Sequence, residues 1–324
     1  MLVRSLENLS GRKNLLAFSA GVDSTALFFL LLEKKIDFDI AIVDYGKREN
    51  SILEVAYAKS LAQKYQKSCF TTKVQLEDSN FEQNARIERY KFFKAIIHED
   101  GYENLLTAHQ LNDRLEWFLM QFTKGAGTVE LLGFEVEERR ENYNLIRPLI
   151  DISKKELLEY LEKNQIKYFE DESNKDPKFK RNRFRETYAN QLLEEFGTGI
   201  SKSFDYLQID KERLFTLKIL KQIDELYILE KSNDDTENLR AIDKIIKRLG
   251  VMISAKERQE IIRQKESVIS HKIAVAIMDE KIYIAPFKSA VMEKNFKESC
   301  RAAKIPPKIR GYLWSKRIDP KAIG

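Results

Sequence analysis

Five short apolar runs punctuate the first half of the chain, each followed by a stretch with helical spacing. "NLLAF" (14–18), "FDIAIVD" (38–44), "SCFTTKVQL" (68–76), "NLLTA" (104–108) and "YNLIRPLI" (143–150) have the length and composition of strands. Between them, apolar positions recur every three or four residues. Asp23 to Glu33 is an almost wholly apolar helix, and Arg48 to about Gln66 is a second. "FEQNARIERYKFFKAIIHEDG" (81–101) is a third, with Ala85, Tyr90, Phe93 and Ile97 near one face. "HQLNDRLEWFLMQFTKG" (109–125) follows, and "SKKELLEYLEKN" opens with a capping box formed by Ser153 and Glu156. Strands alternating with helices at this spacing predict crossover units, and so an α/β domain with a parallel sheet covered on both faces.

The alternation stops near residue 196. "GTGISKS" (197–203) reads as a joint, dividing the chain into domains 1–196 and 197–324. Long charged helical stretches run to about Gln264. "KIAVAIMDEKIYIAPF" (272–287) alternates as two short strands around a turn at Asp279–Glu280. A helix from about Ala290 to Ala303 and an irregular basic tail, "KIPPKIRGYLWSKR", complete a smaller α+β C-terminal domain.

Composition narrows the chemistry. A 324-residue chain with 43% hydrophobic and 33% charged residues is a soluble globular protein with room for two domains. Its two cysteines, Cys69 and Cys300, lie far apart, which excludes a disulfide framework and a cysteine-based metal site. Three scattered histidines (His98, His109, His271) argue against zinc. "MLVRSLENLSGRKN" lacks the apolar core of a signal peptide, and no apolar stretch is long enough for a membrane. The expected setting is the cytoplasm. A net charge of +5 permits an anionic partner without requiring one.

The turn between the first strand and helix, "SAGVDS", combines small residues, hydroxyls and one acid, Asp23. A loop of this kind lets backbone N–H groups approach a phosphate at a helix N-terminus. Ser19, Ser24 and Thr25 add donors. It is not a Walker A loop, because it lacks that spacing and that lysine. Asp23 makes sense there as a ligand for a magnesium ion bridging to phosphates. The alternative is that Ser19, Asp23 or Ser24 caps the helix and does nothing more.

The loop resembles the SGGxDS pyrophosphate loop of adenine-nucleotide α-hydrolase-like enzymes, with Ala20 at the usual first glycine. "VDYGKREN" is similar to the "VNHGLR" stretch of the tRNA(Ile)-lysidine synthetase family, and "EQNARIERYKFF" to its E-x-x-A-R-x-x-R-Y signature. "TAHQLNDRLEWFLMQFTKGAG" resembles its T-A-H-H-x-D-D-Q-x-E segment, "IRPLID" its R-P-L stretch, and "EDESNKDPKFKRNRFR" its D-x-S-N…R-N-x-x-R element. The matches fall in family order from Ser19 to Arg185.

The resemblance implies the adenine-nucleotide α-hydrolase-like fold and a two-step ligation in the short form of that family. ATP adenylates the C2 oxygen of the wobble cytidine in an isoleucine tRNA with anticodon CAU, releasing pyrophosphate. The ε-amine of free L-lysine then displaces AMP, leaving lysidine. On this reading Ser19, Ala20, Gly21, Val22, Asp23 and Ser24 cradle ATP with Arg86, and Asp23 and Asp113 are the catalytic acids and the magnesium ligands. Glu116, three residues after Asp113, shares its helix face. With His109 it is a candidate for binding lysine, while a solvated carboxylate and a plain helix-start histidine are the alternatives. Three positions depart from the family pattern. Asn112 stands at the first aspartate, Arg114 at the glutamine, where it could offset negative charge, and Tyr45 at the histidine.

"KFKRNRFR" (178–185) interleaves Phe179 and Phe184 with basic residues at the start of a helix. Lys180, Arg181, Asn182, Arg183 and Arg185 are the candidate tRNA contacts, with a solvated face as the alternative. At about 100° per residue, Arg181 and Arg185 share a face and Arg183 points elsewhere. In the tail, Lys304, Lys308, Arg310, Lys316 and Arg317 with Tyr312 and Trp314 suit either an RNA grip or domain packing. A homodimer is compatible with the sequence and not required by it. The remaining alternatives are another tRNA-modifying enzyme with this loop, or a catalytically silent RNA-binding relative. A thiolase would need paired cysteines that the chain lacks.

Overall fold

The computed structural model describes residues 4–46, 49–76, 80–140, 142–170, 180–214 and 217–323. The chain separates into two compact units, Met1–Asp210 and Lys211–Gly324.

In the first unit, α1 (Leu6–Leu9) leads into β1 (Asn14–Ala17), α2 (Val22–Glu33), β2 (Asp39–Asp44), α3 (Glu49–Lys64), β3 (Cys69–Lys73) and α4 (Phe81–Asp100). Then come β4 (Asn104–Leu106), α5 (Leu111–Phe122), α6 (Thr128–Leu131), β5 (Glu137–Arg139), β6 (Asn144–Ile146) and α7 (Lys154–Lys163). The sheet order is β3-β2-β1-β4-β6-β5, parallel except for β5, which pairs antiparallel with β6 at the edge. Strand residues alternate between two cores. Leu16 and Ile40 join Phe28, Leu31, Leu157 and Leu161 of α2 and α7 on one face, while Leu15, Ala41 and Leu105 join Phe93, Ile96 and Ile97 of α4 on the other. A sheet buried on both faces explains the near-continuous apolar strands and the apolar helix α2. The buried amides of Asn14 and Asn104 tie β1 to β4, with Asn104 Nδ2 donating to Asn14 Oδ1 at 2.8 Å.

Two expectations change here. The fifth run forms a strand only over Asn144–Ile146, because Pro148 cannot donate to a ladder and the chain turns into a buried loop. The antiparallel β5 has only three residues, with an alternation too short to read.

A basic helix, α8 (Lys180–Phe184), continues through a π-helical turn (Arg185–Ala189) into α9 (Asn190–Leu214). Residues 197–203, expected as a joint, are helical throughout; the backbone departs from helical geometry just before them, at Phe196 (φ −123°, ψ 16°). The break between compact units falls fourteen residues later, after Asp210.

The second unit contains β7 (Ile219–Ile223), β8 (Leu226–Glu230), α10 (Asp235–Arg248), α11 (Ala255–Gln264), β9 (Glu266–Ile269), β10 (Ile273–Ile277), β11 (Lys281–Pro286), α12 (Lys294–Ala302) and α13 (Pro307–Lys316). Its antiparallel sheet runs β7-β8-β11-β10-β9. Ile273, Val275 and Ile277 pack with α10 and α11, and the alternating Ala274 and Ala276 with α12 and α13. The expected run of helix to Gln264 is thus interrupted by the β7–β8 hairpin, whose turn has Asp224 at φ 52°. β7 is exposed along most of its length, so its sequence carries no apolar alternation. The tail expected as irregular is helical from Pro307, which occupies the first turn where no N–H is needed. Gly311 makes that packing feasible: a Cβ there would lie 1.8 Å from the Lys288 carbonyl oxygen.

Candidate active site

Strand order reverses between β1 and β4, and α2 and α5 start from the carboxyl ends of these neighbours. Such a switch point is where open parallel sheets bind ligands. The loop after β1 and the residues 107–110 after β4 therefore face one crevice.

The first loop is built for an anion. Gly21 is the N-cap of α2 and no side chain caps it, so the first-turn N–H groups open onto the loop. This decides against the capping alternative. Ser19 donates its N–H to Ser24 Oγ at 3.1 Å, the two hydroxyls lie 3.1 Å apart, and Ser24 Oγ donates to the Gly21 carbonyl at 3.3 Å. Ala20 sits at φ 59°, a left-handed conformation that suits the family's usual glycine better than alanine. Its carbonyl accepts from the Phe169 N–H at 2.9 Å, which pins the loop to the segment leaving α7.

Asp23 lies in the first turn of α2, with Oδ1 buried and without a hydrogen-bond partner. Burial, reinforced by Asp113, raises its carboxyl to about 7, against the pull of Lys154 and Arg185. An orphaned carboxylate beside a second acid, under a phosphate-type loop, fits a divalent cation shared with phosphate oxygens. Among the described residues no three His, Cys, Asp or Glu side chains cluster closely enough to hold a metal alone.

α5 brings the second acid. Gln110 caps it in a reciprocal box, and the Gln110 N–H donates to Asp113 Oδ2 at 3.2 Å. Asp113 and Glu116 share a buried face, as their spacing predicts, and that face meets α8. Arg185 reaches Asp113 Oδ1 at 2.8 Å and Glu116 Oε2 at 2.9 Å; Arg181 reaches Asp113 Oδ1 at 3.4 Å and pairs with Glu116 through Nε. Burial would raise the Asp113 carboxyl, but His109, Arg185 and Arg181 together hold it below its ordinary value. Burial raises Glu116 despite the same two guanidiniums. The solvated-carboxylate alternative for Glu116 is excluded, since its side chain is buried. His109 accepts from or donates to Thr107 Oγ1 through Nδ1 at 3.0 Å and packs on Phe134. Burial pushes its imidazole down to about 4, with Arg147, Arg181 and Arg86 adding to the effect and Asp113 opposing it. His109 is therefore neutral at pH 7.

The departures from the family pattern have structural answers. Asn112 Oδ1 accepts the Lys154 N–H at 3.0 Å, and its Nδ2 donates to Asn190 Oδ1 at 2.8 Å, so the amide clips three helices together. Arg114 is not available to the site: it pairs with Asp151 at 2.6 Å and lies over the Phe204 ring. Tyr45 donates to the Ala85 carbonyl at 3.1 Å. Arg86 is exposed on α4, 5.0 Å from the Tyr90 ring centroid, with its charge felt at His109. Of the basic block, Asn182 is buried, Arg183 is exposed, and Lys180 opens α8. Phe179 lies outside the described residues, as does Arg48. In the tail, Tyr312 is fully buried, Trp314 packs edge-on against Phe296, Lys316 pairs with Asp224, and Lys308 and Arg310 donate to backbone carbonyls. These tail residues serve domain packing. Lys154 is the residue near the site that no motif singled out; its signal was its position three and seven residues before Leu157 and Leu161.

Residues 2–192 match the PP-loop domain family. The chain is 48% identical over 314 residues to the tRNA(Ile)-lysidine synthase of Wolinella succinogenes, spanning 97% of this chain and 96% of that protein. The chain belongs to the tRNA(Ile)-lysidine synthase family. Similarity to the synthases of Campylobacter jejuni (42%, over 98% of this chain and 97% of that one) and Helicobacter pylori strain 26695 (42%, 96% and 92%) is likewise end to end. The C-terminal unit is thus part of what tRNA(Ile)-lysidine synthases share with this chain, and the PP-loop family makes ATP its substrate.

Proposed function

We infer that the protein ligates L-lysine to the wobble cytidine of a CAU-anticodon tRNA(Ile) at the expense of ATP, giving lysidine, AMP and pyrophosphate. The observation that carries the reading is an anion-ready loop and a buried acidic helix face meeting at one switch point, in a chain that matches lysidine synthases from end to end. The capping-free loop from Ser19 to Ser24 holds the phosphates. The cytidine C2 oxygen attacks the α phosphorus and pyrophosphate leaves; the lysine amine then attacks C2, AMP leaves, and the nitrogen loses a proton. Asp23 and Asp113 are the residues that would hold magnesium, which would neutralise charge on the leaving pyrophosphate. Glu116 already binds two guanidiniums and presents the same carboxylate to the lysine substrate, with neutral His109 on the same helix start. Arg183 offers an exposed phosphate contact for tRNA.

Another tRNA-modifying PP-loop enzyme or a silent relative is not favoured, because the relatives compared are lysidine synthases and Asn112, the main departure, is occupied structurally. Among the described residues no helix is long and apolar enough to cross a membrane, and we place the reaction in the cytoplasm. The test is ATP-dependent transfer of labelled lysine to CAU-anticodon tRNA(Ile), with AMP and pyrophosphate as co-products. ADP and phosphate as the tRNA-dependent products would overturn the reading.

A further inference from the structure

We propose that Lys154 is a phosphate-binding residue of the ATP site, delivering from α7 the lysine that the loop between β1 and α2 lacks. The proposal rests on the ATP-pyrophosphatase reading above and adds a residue to it.

Helix geometry gives the first placement. Leu157 and Leu161 of α7 are fully buried in a core shared with Val22, Ala26 and Leu30 of α2. Lys154 precedes them by three and seven residues and so lies on the same face, one turn nearer the N-terminus. β1, β4 and β6 are parallel, so α2 and α7 both begin at the carboxyl edge of the sheet. The face that buries leucines deeper in the molecule therefore presents Lys154 beside the first turn of α2, where Asp23 lies.

Backbone anchors give the second. The Lys154 N–H donates to Asn112 Oδ1 at 3.0 Å, and the Leu111 N–H donates to the Ile152 carbonyl at 2.9 Å. The start of α7 is thus stapled to the start of α5, which carries Asp113. At the other end, the chain leaving α7 returns to the loop through the Phe169 N–H and the Ala20 carbonyl. Lys154 is held between the two helix starts that define the crevice.

The ammonium itself gives the third. Lys154 is half-buried, yet its ammonium makes no hydrogen bond or ion pair with any described residue. Its charge reaches Asp23, where it favours the ionised carboxylate. The arginines around the site are engaged differently: Arg181 and Arg185 hold Asp113 and Glu116, and Arg147 bonds the Glu135 carbonyl at 2.7 Å. A half-buried, uncommitted cation at an anion-binding loop is suited to a pyrophosphate oxygen. A compact ammonium on a flexible stem is the usual way a lysine binds phosphate. As the bond from the α phosphorus breaks, negative charge grows on the departing pyrophosphate, and a cation placed there acts more strongly in the transition state than in the bound substrate.

Inorganic pyrophosphate with magnesium, titrated into the full-length protein, tests this directly. Lys154→Met should weaken pyrophosphate binding at least tenfold, raise KM for ATP and lower kcat for lysine transfer, while AMP affinity and the thermal midpoint stay at wild-type values. Lys154→Arg should restore most of the pyrophosphate affinity. Lys155→Met, at the exposed neighbouring position, should behave as wild type. Unchanged pyrophosphate affinity in Lys154→Met would overturn the assignment. So would a loss that Lys154→Arg does not restore and that AMP binding shares, since that pattern marks a structural role. Wild-type protein that binds pyrophosphate but transfers no lysine would overturn the lysidine reading and leave Lys154 to be judged by its own variants.

Discussion

At Asp23 a buried carboxyl with an unbonded Oδ1 titrates near 7, well above the ordinary aspartate value of 3.8. The folded state holds a proton that the unfolded chain releases, so stability is lost as pH rises from about 4 to about 7 and stays lower above that. Three pKa units correspond to at most about 4 kcal/mol. Asp23→Asn removes the penalty. The variant should melt higher than wild type at pH 8, by less at pH 5 and hardly at all below pH 4, and it should lose most lysine-transfer activity. Equal midpoints at pH 8, or near-normal turnover, would contradict this account. Ala20 offers a simpler case. Its φ of 59° costs an alanine roughly 1 kcal/mol that glycine avoids, and Ala20→Gly should raise the thermal midpoint slightly. Asn112 works through both ends of its amide, so Asn112→Leu should leave the Lys154 N–H and the Asn190 Oδ1 unpaired. We expect a loss of about 1–3 kcal/mol in denaturant unfolding.

The pairing of α5 with α8 shows how an element changes the meaning of its residues. Spacing alone puts Arg181 and Arg185 on one face. The structure turns that face onto Asp113 and Glu116, leaving Arg183 exposed. Loss of one partner strands a buried charge, which typically costs about 3–5 kcal/mol. Arg185→Ala should therefore lower stability and lysine transfer together, and Arg181→Ala less so because its side chain is half exposed. Arg183→Ala should instead leave stability unchanged and make tRNA binding weaker. The salt dependence should become shallower by up to about one unit of slope. A wild-type salt slope in Arg183→Ala would remove it from the RNA contact set. The π-helical turn that follows Phe184 sits where α8 must keep its arginines on α5 while Asn190 meets Asn112, and single-turn π segments are common at such sites.

For the molecule as a whole, two compact units, each with its own core residues, predict two separable stabilities. A Cβ at Gly311 would collide with the Lys288 backbone, which cannot swing aside as a side chain would. Gly311→Ala should lower the unfolding transition of the C-terminal unit by several kcal/mol, an overpacking effect at the severe end of its range. Calorimetry resolving a lowered C-terminal transition beside an unshifted N-terminal one is the expected result. A uniform shift would mean that the two units unfold as one.

Local rules were enough for much of this protein. Strand–helix alternation announced a parallel sheet because period-two and period-3.6 patterns are set by backbone geometry, and the capping box at Ser153 needed only its own neighbours. The turn from Ser19 to Ser24 was legible as a strand-to-helix connection because small residues and hydroxyls there suit a tight turn, but whether one of them caps α2 was settled only by the folded backbone. Signals failed where the deciding partner lies far along the chain. β7 is exposed and β5 has three residues, so each is a strand only because a neighbour offers a ladder. Arg114 looked like a site residue until Asp151 and Phe204 met it. The tail aromatics suited RNA and core equally until Tyr312 was enclosed by the second sheet. The charge state of Asp23, the occupied arginines of α8 and the placing of Lys154 beside the loop depend on burial and on partners far along the chain. Sequence determined which elements form and which groups could do chemistry; tertiary packing decided which of those groups are free to do it.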